Sequence, residues 1–229
     1  MRVTCDPEVD VLRTLLKVAA LFLTAVLAAT IIQFGWAYFR TPRLVSQFEH
    51  ARPPTLDPAQ FGKVRLEWLL AIEDPAFYRH HGVDGRTPGA GYTTITQGIV
   101  KFLFFDDFRP GLLRWRKVQQ SIIALAFDAR VSKEEQLRLF VNNAYLGNQR
   151  GHNVKGFAEA SEAYFGKSSA QLSDDEYLGI VAMLVAPVKY SLALHAEQNH
   201  ERVQRIKRLL ARECKPTAVD DVEYSACAR

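Results

Sequence analysis

Alternation of polar and apolar residues, the mark of half-buried strands, is nearly absent from this sequence, which points to a mainly α domain. The common chemical signatures are missing too. The chain contains no Walker loop, no G-x-G-x-x-G, no H-E-x-x-H and no G-x-S-x-G. His80, His81 and His152 lack partners at zinc-ligand spacing, which leaves them surface or packing roles. There is no internal repeat and no low-complexity tract. Cysteine is scarce, at three residues. Cys5 stands alone near the start, while Cys214 and Cys227 lie together near the far end, close enough in sequence to pair in an oxidising compartment. The net charge of +4 suits an anionic lipid surface or a phosphate-bearing substrate, and it suits nucleic acid equally.

The absence with the largest consequence is that of charge between Val18 and Phe39, a run bracketed by Lys17 and Arg40. At about 1.5 Å per residue it spans roughly 33 Å, enough for a hydrocarbon core of about 30 Å. It is apolar on every face, unlike an amphipathic core helix, and longer than the apolar region of a signal peptide. Trp36 and Tyr38 near one end fit an interfacial aromatic belt. Residues 18–39 are therefore expected to be an uncleaved transmembrane anchor, preceded by a short segment over 1–17. Arg2, Arg13 and Lys17 on one side balance Arg40, Arg43 and Arg52 on the other, so basic residues do not orient it.

Residues 40–58 read as a connector, because Pro42, Pro53, Pro54 and Pro58 argue against a long helix. Helical signals dominate the domain over 59–229. Leu66, Leu69, Leu70 and Ile72 form an apolar stripe that Pro75 interrupts just after Glu73-Asp74. Thr94 with Gln97, Ser132 with Glu135 and Ser173 with Glu176 have the spacing of capping boxes. The second opens an amphipathic stretch through Leu137, Phe140, Val141, Ala144 and Tyr145, with Gly147 as its stop. The third opens a helix through Leu178, Val181, Ala182 and Val185. Val118, Ile122, Leu125 and Ala129 mark another.

Two groups of residues carry chemical interest. Glu73 and Asp74 sit where an apolar helix breaks, and a carboxylate against apolar walls can act as a general base or acid near neutral pH. An adjacent Glu-Asp pair at a helix end is also an ordinary solvated feature. Further on, Thr94 is placed to cap a helix whose N-terminus offers free N–H groups. Lys101, Arg116 and Lys117 follow, and together they can hold a pyrophosphate; β-branched packing with solvated cations is the plainer alternative.

These residues fall into an order that resembles the peptidoglycan glycosyltransferases of glycosyltransferase family 51. That family's E-D-x-x-F-x-x-H-x-G-x-D motif matches at Glu73, Asp74, Phe77, His80, Gly82 and Asp84. Its G-x-S-T-I-T-Q-Q-x-x-K-N is similar to Gly91 through Phe102, and its R-K-x-x-E to Arg116 through Gln120. Downstream, Ser132-Lys133 and Asn142 through Gly147 resemble S-K…L-N-x-x-Y-x-G. Tyr164 through Lys167 resembles Y-F-G-K, and Ala186-Pro187 with Tyr190 resembles A-P-x-x-Y. The likeness extends from about Leu66 to Leu210.

The resemblance implies a lysozyme-like helical domain on the outer face of a bacterial inner membrane. Lipid II would be the acceptor and a lipid-linked glycan strand the donor, with other cell-wall synthesis proteins as partners and no nucleic acid. Glu73 would deprotonate the acceptor 4-hydroxyl, and undecaprenyl pyrophosphate would leave. Asp74, Thr93, Thr94, Gln97, Lys101, Arg116, Lys117 and Gln120 would bind substrate and pyrophosphate. Some members hold a divalent metal, Mg or Mn, near the pyrophosphate; nothing in this sequence proves one. Four residues depart from the pattern: Thr93 replaces serine, Gly98 glutamine, Phe102 asparagine, and Gln120 the second active-site glutamate. The segment from Asp84 to Gly91, a mobile flap in the family, is short. No transpeptidase domain follows, so the expectation is a monofunctional enzyme. A catalytically weakened homologue that binds lipid II or cell-wall partners, and a lysozyme-like hydrolase, remain as alternatives.

Overall fold

The computed structural model describes residues 7–105 and 115–228, with side chains from Val11 onward. Cys5 lies outside the described residues. A first helix, α1, runs from Pro7 to Ala51, 45 residues and roughly 68 Å. Its most apolar stretch has a mean hydropathy of 2.4 and no part of it is covered by the rest of the protein. Length and composition both suffice for a membrane span.

The helix corrects the expected connector. It passes through Pro42 and stops only at Ala51, so extended chain is confined to the few residues before Pro58. Pro42 removes the N–H that would bond Tyr38 O, but it lies on an exposed side of the helix. Packing holds the turns around it. Ala37 and Thr41 are fully buried, and Thr41 Oγ1 donates to Ala37 O at 2.8 Å. Trp36 meets Phe104 edge-on with ring centroids 5.9 Å apart, and Phe48 stacks on Phe102 at 5.5 Å. Glu49 pairs with Arg138 at 2.5 Å. The lower half of α1 is thus part of the domain.

The remaining helices are α2 (Gly62–Glu73), α3 (Ile95–Phe104), α4 (Trp115–Asp128), α5 (Lys133–Asn143), α6 (Phe157–Phe165), α7 (Asp174–Met183) and α8 (Ala196–Leu210). Leu69 and Ile72 of α2 are buried with Leu66 and Leu70 half-buried, as the stripe implied. In α7 every residue from Tyr177 to Met183 is buried, including Leu178, Val181 and Ala182. Thr94 and Ser173 head complete capping boxes. At α5 only half the box forms: Ser132 accepts from Glu135 N–H, while the Glu135 carboxylate turns to Arg138 at 2.5 Å.

Two further expectations are corrected. The stretch through Ala144 and Tyr145 is not all helix, because α5 ends at Asn143. Tyr145 opens a strand, β1 (Tyr145–Gln149), which pairs antiparallel with β2 (His152–Lys155) in register Gln149 to His152. Ala144 O is taken by Gly156 N–H at 2.8 Å as the hairpin begins, and Asn142 in the last turn accepts from the N–H groups of Thr55 and Leu56, each at 2.9 Å, and donates to Leu56 O at 2.7 Å. On α4 the buried face is Gln120, Ile123, Ala124 and Phe127, whereas Val118 and Leu125 of the expected stripe are 46% and 38% exposed. That helix carries apolar residues on two faces, and period alone did not say which one meets the core.

Gly82 sets the relation between the α2 end and α4. It has φ of +87°, and a Cβ there would lie 2.4 Å from Ala124 O. Only glycine allows this approach, which brings the turn after Glu73-Asp74 against the helix bearing Lys117 and Gln120.

Candidate active site

Two cavities meet at Tyr92, Thr93 and Lys101. The larger, about 1060 Å³, is lined by His80, Asp84, Arg86, Gln97, Lys117 and Gln120 among others. The smaller, about 320 Å³, holds Glu73, with Leu184, Val185, Arg202, Val222 and Tyr224 around it. Glu73 closes α2, and its half-buried carboxylate is pushed up from 4.5 to about 7. Burial is the main cause, the neighbouring Asp74 charge adds to it, and Arg202 opposes both.

Asp74 points the other way. It is 1% exposed and lines neither cavity. His80 Nε2 lies 3.0 and 2.9 Å from its two oxygens, and Ile95 N–H donates to it at 3.0 Å. Gly82 N–H donates to His80 Nδ1 at 3.1 Å, which assigns the proton to Nε2 and makes that nitrogen the donor to Asp74. Asp74 thereby joins the end of α2 to the start of α3. Thr94 has a similar structural part: its hydroxyl donates to Gly82 O at 2.7 Å and accepts from Gln97 N–H at 3.1 Å.

The larger cavity is cationic on one wall. Lys117 Nζ donates to Thr93 Oγ1 at 2.9 Å and to Gln97 Oε1 at 3.4 Å. Burial, aided by the charge of Lys101, brings its ammonium down to about 8. Gln97 also donates from Nε2 to Ser121 Oγ at 2.9 Å, so α3 and α4 are tied across the cavity floor. Gln120 donates from Nε2 to Gln97 O at 2.6 Å, while its Oε1 is buried without a hydrogen-bond partner. Arg116, on the first turn of α4, is exposed and lines neither cavity.

The structure therefore brings Thr93, Gln97, Lys101, Lys117 and Gln120 around one cavity with Glu73 beside it. It sets Asp74 and Thr94 behind the wall and Arg116 apart. Among the described residues no three His, Cys, Asp or Glu side chains converge as a metal site, and Gln120 offers an amide in place of a carboxylate. The donor set does not fit a divalent cation; it fits neutralisation of phosphate by lysine.

The other departures from the motif are packing positions. Gly98 faces the Phe140 ring, which a Cβ there would meet at 3.5 Å, an ordinary contact distance, and Phe102 is the residue stacked on Phe48 of α1. Sequence reasoning missed Arg202. It is 2% exposed, stacks over Tyr190 and Tyr224 at 5.0 and 5.3 Å, and donates from Nε to Ala182 O at 3.2 Å. Arg202 shares the buried face of α8 with Val203 and Ile206, but a charged residue type reads as solvent-exposed in sequence, and only the cavity around Glu73 reveals its place.

Residues 42–211 match the family model described as Transglycosylase. The chain is 32% identical over 186 residues to penicillin-binding protein 1B of Vibrio cholerae, covering 74% of this chain and 23% of that protein. It is 33% identical over 196 residues to penicillin-binding protein 1B of Escherichia coli, covering 78% and 22%. For penicillin-binding protein 1F of Bacillus subtilis the identity is 34% over 149 residues, covering 59% and 20%. The chain belongs to the transglycosylase family, the peptidoglycan glycosyltransferases that its motif order resembles. It spans about a quarter or less of the length of these relatives.

Proposed function

We propose that this domain polymerises lipid II into β-1,4 glycan strands. The observation that carries the reading is Glu73, a carboxylate poised near neutral pH in a cavity that opens onto paired lysines. Glu73 takes the proton from the acceptor 4-hydroxyl as that oxygen bonds to the donor's anomeric carbon. The bond from that carbon to the pyrophosphate oxygen breaks, and undecaprenyl pyrophosphate leaves with the electron pair. Lys101 and Lys117 face the place where this negative charge develops, so their attraction strengthens in the transition state. Thr93 and Gln97 hold the Lys117 ammonium toward the cavity.

The pH dependence tests this assignment. Glu73 must be ionised to accept a proton, so kcat/KM rises as pH climbs through about 7. Lys117 must be protonated to meet phosphate, so kcat/KM falls as pH passes about 8. A narrow bell between the two limbs is the expected profile. A flat profile across that range contradicts the roles of both groups.

Gln120 favours slow chemistry with firm binding. A neutral amide leaves the lysine wall less neutralised, which attracts pyrophosphate in ground and transition states alike, and equal gains do not speed the step. Its Oε1 is buried without a hydrogen-bond partner, and the amide adds no charge to the wall. Gln120→Glu is expected to raise turnover in a polymerisation assay and to weaken lipid II binding. Loss of turnover on that change would show a site adapted to the amide.

The disulfide between Cys214 and Cys227 supports a periplasmic domain, since such bonds persist in oxidising compartments. In intact spheroplasts, a membrane-impermeant thiol reagent is expected to leave all cysteines unlabelled until reduction exposes Cys214 and Cys227. Labelling of Cys5 without permeabilisation would reverse the orientation.

A further inference from the structure

The chain after α8 is built into the site. It lies beyond the matched residues 42–211, so the family likeness does not describe it. Cys214 and Cys227 close it into a loop, and Arg208 Nη1 donates to Cys227 O at 2.8 Å. Within the loop Asp221 accepts from Thr217 N–H at 3.0 Å and from Ser225 N–H at 2.9 Å. Two buried side chains fix its inner edge. Arg202 Nη1 donates to Val222 O at 2.8 Å, and the Tyr224 hydroxyl donates at 2.8 Å to Ile72 O, the carbonyl just before Glu73. Glu223 is held by the Tyr190 hydroxyl and, at 2.8 Å, by Lys189 Nζ.

The outer edge binds the segment that is a flap in related sequences. Gly89 N–H donates to Ala218 O at 2.9 Å, and Gly91 N–H donates to Val219 O at 2.8 Å. The two strands of chain approach closely: a Cβ on Gly89 would lie 2.5 Å from Pro216, and one on Gly91 would lie 3.0 Å from Val222. A glycan that grows by threading needs an open groove on both sides of the general base. Here the smaller cavity that holds Glu73 is walled in part by Val222 and Tyr224, and it meets the larger cavity at Tyr92, Thr93 and Lys101.

We propose that the disulfide-closed tail, residues 214–227, is a length-determining element of the site: its Val222–Tyr224 edge ends the sugar groove beside Glu73. Short lipid-linked oligosaccharides fit as substrates and a long strand cannot thread past the carboxylate. The proposal rests on the glycosyltransferase reading of the Glu73 cavity.

Two changes open the wall. Cys214→Ser with Cys227→Ser removes the closure, and Val222→Gly removes one lining side chain while the disulfide stays. Full-length wild type and both variants are given fluorescent lipid II in detergent, and products are sized at equal conversion. Wild type is expected to make short oligomers and the opened variants products several-fold longer. Long polymer from wild type overturns the proposal, and so does one length distribution shared by all three when thermal melting shows the variants folded. A second measurement needs no turnover: the affinity of soluble β-1,4 N-acetylglucosamine oligomers of increasing length. Affinity is expected to stop rising at a shorter length for wild type than for the variants, and equal length dependence overturns the tail's role. If no oligomer binds any of the proteins, the sugar reading of the Glu73 cavity falls with it, which separates that failure from failure of the tail alone.

Discussion

Glu73→Gln is expected to lower polymerising turnover by about 10²–10⁴-fold while leaving lipid II binding close to wild type. The amide keeps the shape of the side chain but cannot take the acceptor's proton. The same change has a signature in stability. The Glu73 carboxyl rises from 4.5 to about 7 on folding, so between those values the unfolded chain releases its proton first. Stability contributed by this group therefore falls as pH rises through that window. Glu73→Gln should remove that part of the pH slope and melt no lower than wild type at pH 8. Unchanged polymerisation in the variant would remove Glu73 from the chemistry, and an unchanged slope would remove the burial argument.

Asp74→Ala is expected to act on the fold. The carboxylate serves His80 and the first N–H of α3 from a fully buried position. Hydrogen bonds to a charged group contribute about 1.5–3 kcal/mol each, and deletion leaves two buried donors unpaired. A loss of about 3 kcal/mol or more in urea unfolding is the expected outcome, with turnover lost as the end of α2 and the start of α3 come apart. Asp74→Asn retains an acceptor for Ile95 and should fall between. Wild-type unfolding combined with lost lipid II binding would instead make Asp74 a direct substrate ligand.

The comparison of sequence with structure turns on which signals are local. The Thr94–Gln97 box, the stripe of α2 and the uncharged run within α1 are statements about neighbouring residues, and the structure contains each of them. Pro42 misleads because its cost is local while the packing of Ala37 and Thr41 against the domain, which offsets it, is not. Tyr145 fits a helical period, yet its pairing with Lys155 across the hairpin takes it out of the helix. Val118 and Leu125 show that an apolar stripe identifies a face without saying what covers it.

The site divides in the same way. Glu73, Lys101 and Lys117 were legible because the motif order names them. Asp74 was legible as a residue but not as an inward-facing one, since adjacent positions at a helix end point in different directions and only the fold shows which faces the cavity. Arg202 and Tyr224 were not legible at all. Each reaches Glu73 across more than a hundred residues of sequence, through a helix and a tail with no motif of their own.

The central claim is chemical, and incubation of the purified full-length protein with labelled lipid II at pH 7.5 tests it most directly. The expected result is β-1,4 glycan product together with one undecaprenyl pyrophosphate released for each bond formed, at a rate that Glu73→Gln lowers by about 10²–10⁴-fold. Lipid II recovered intact from a folded protein that still binds it would contradict the account and leave a lipid II-binding homologue in its place.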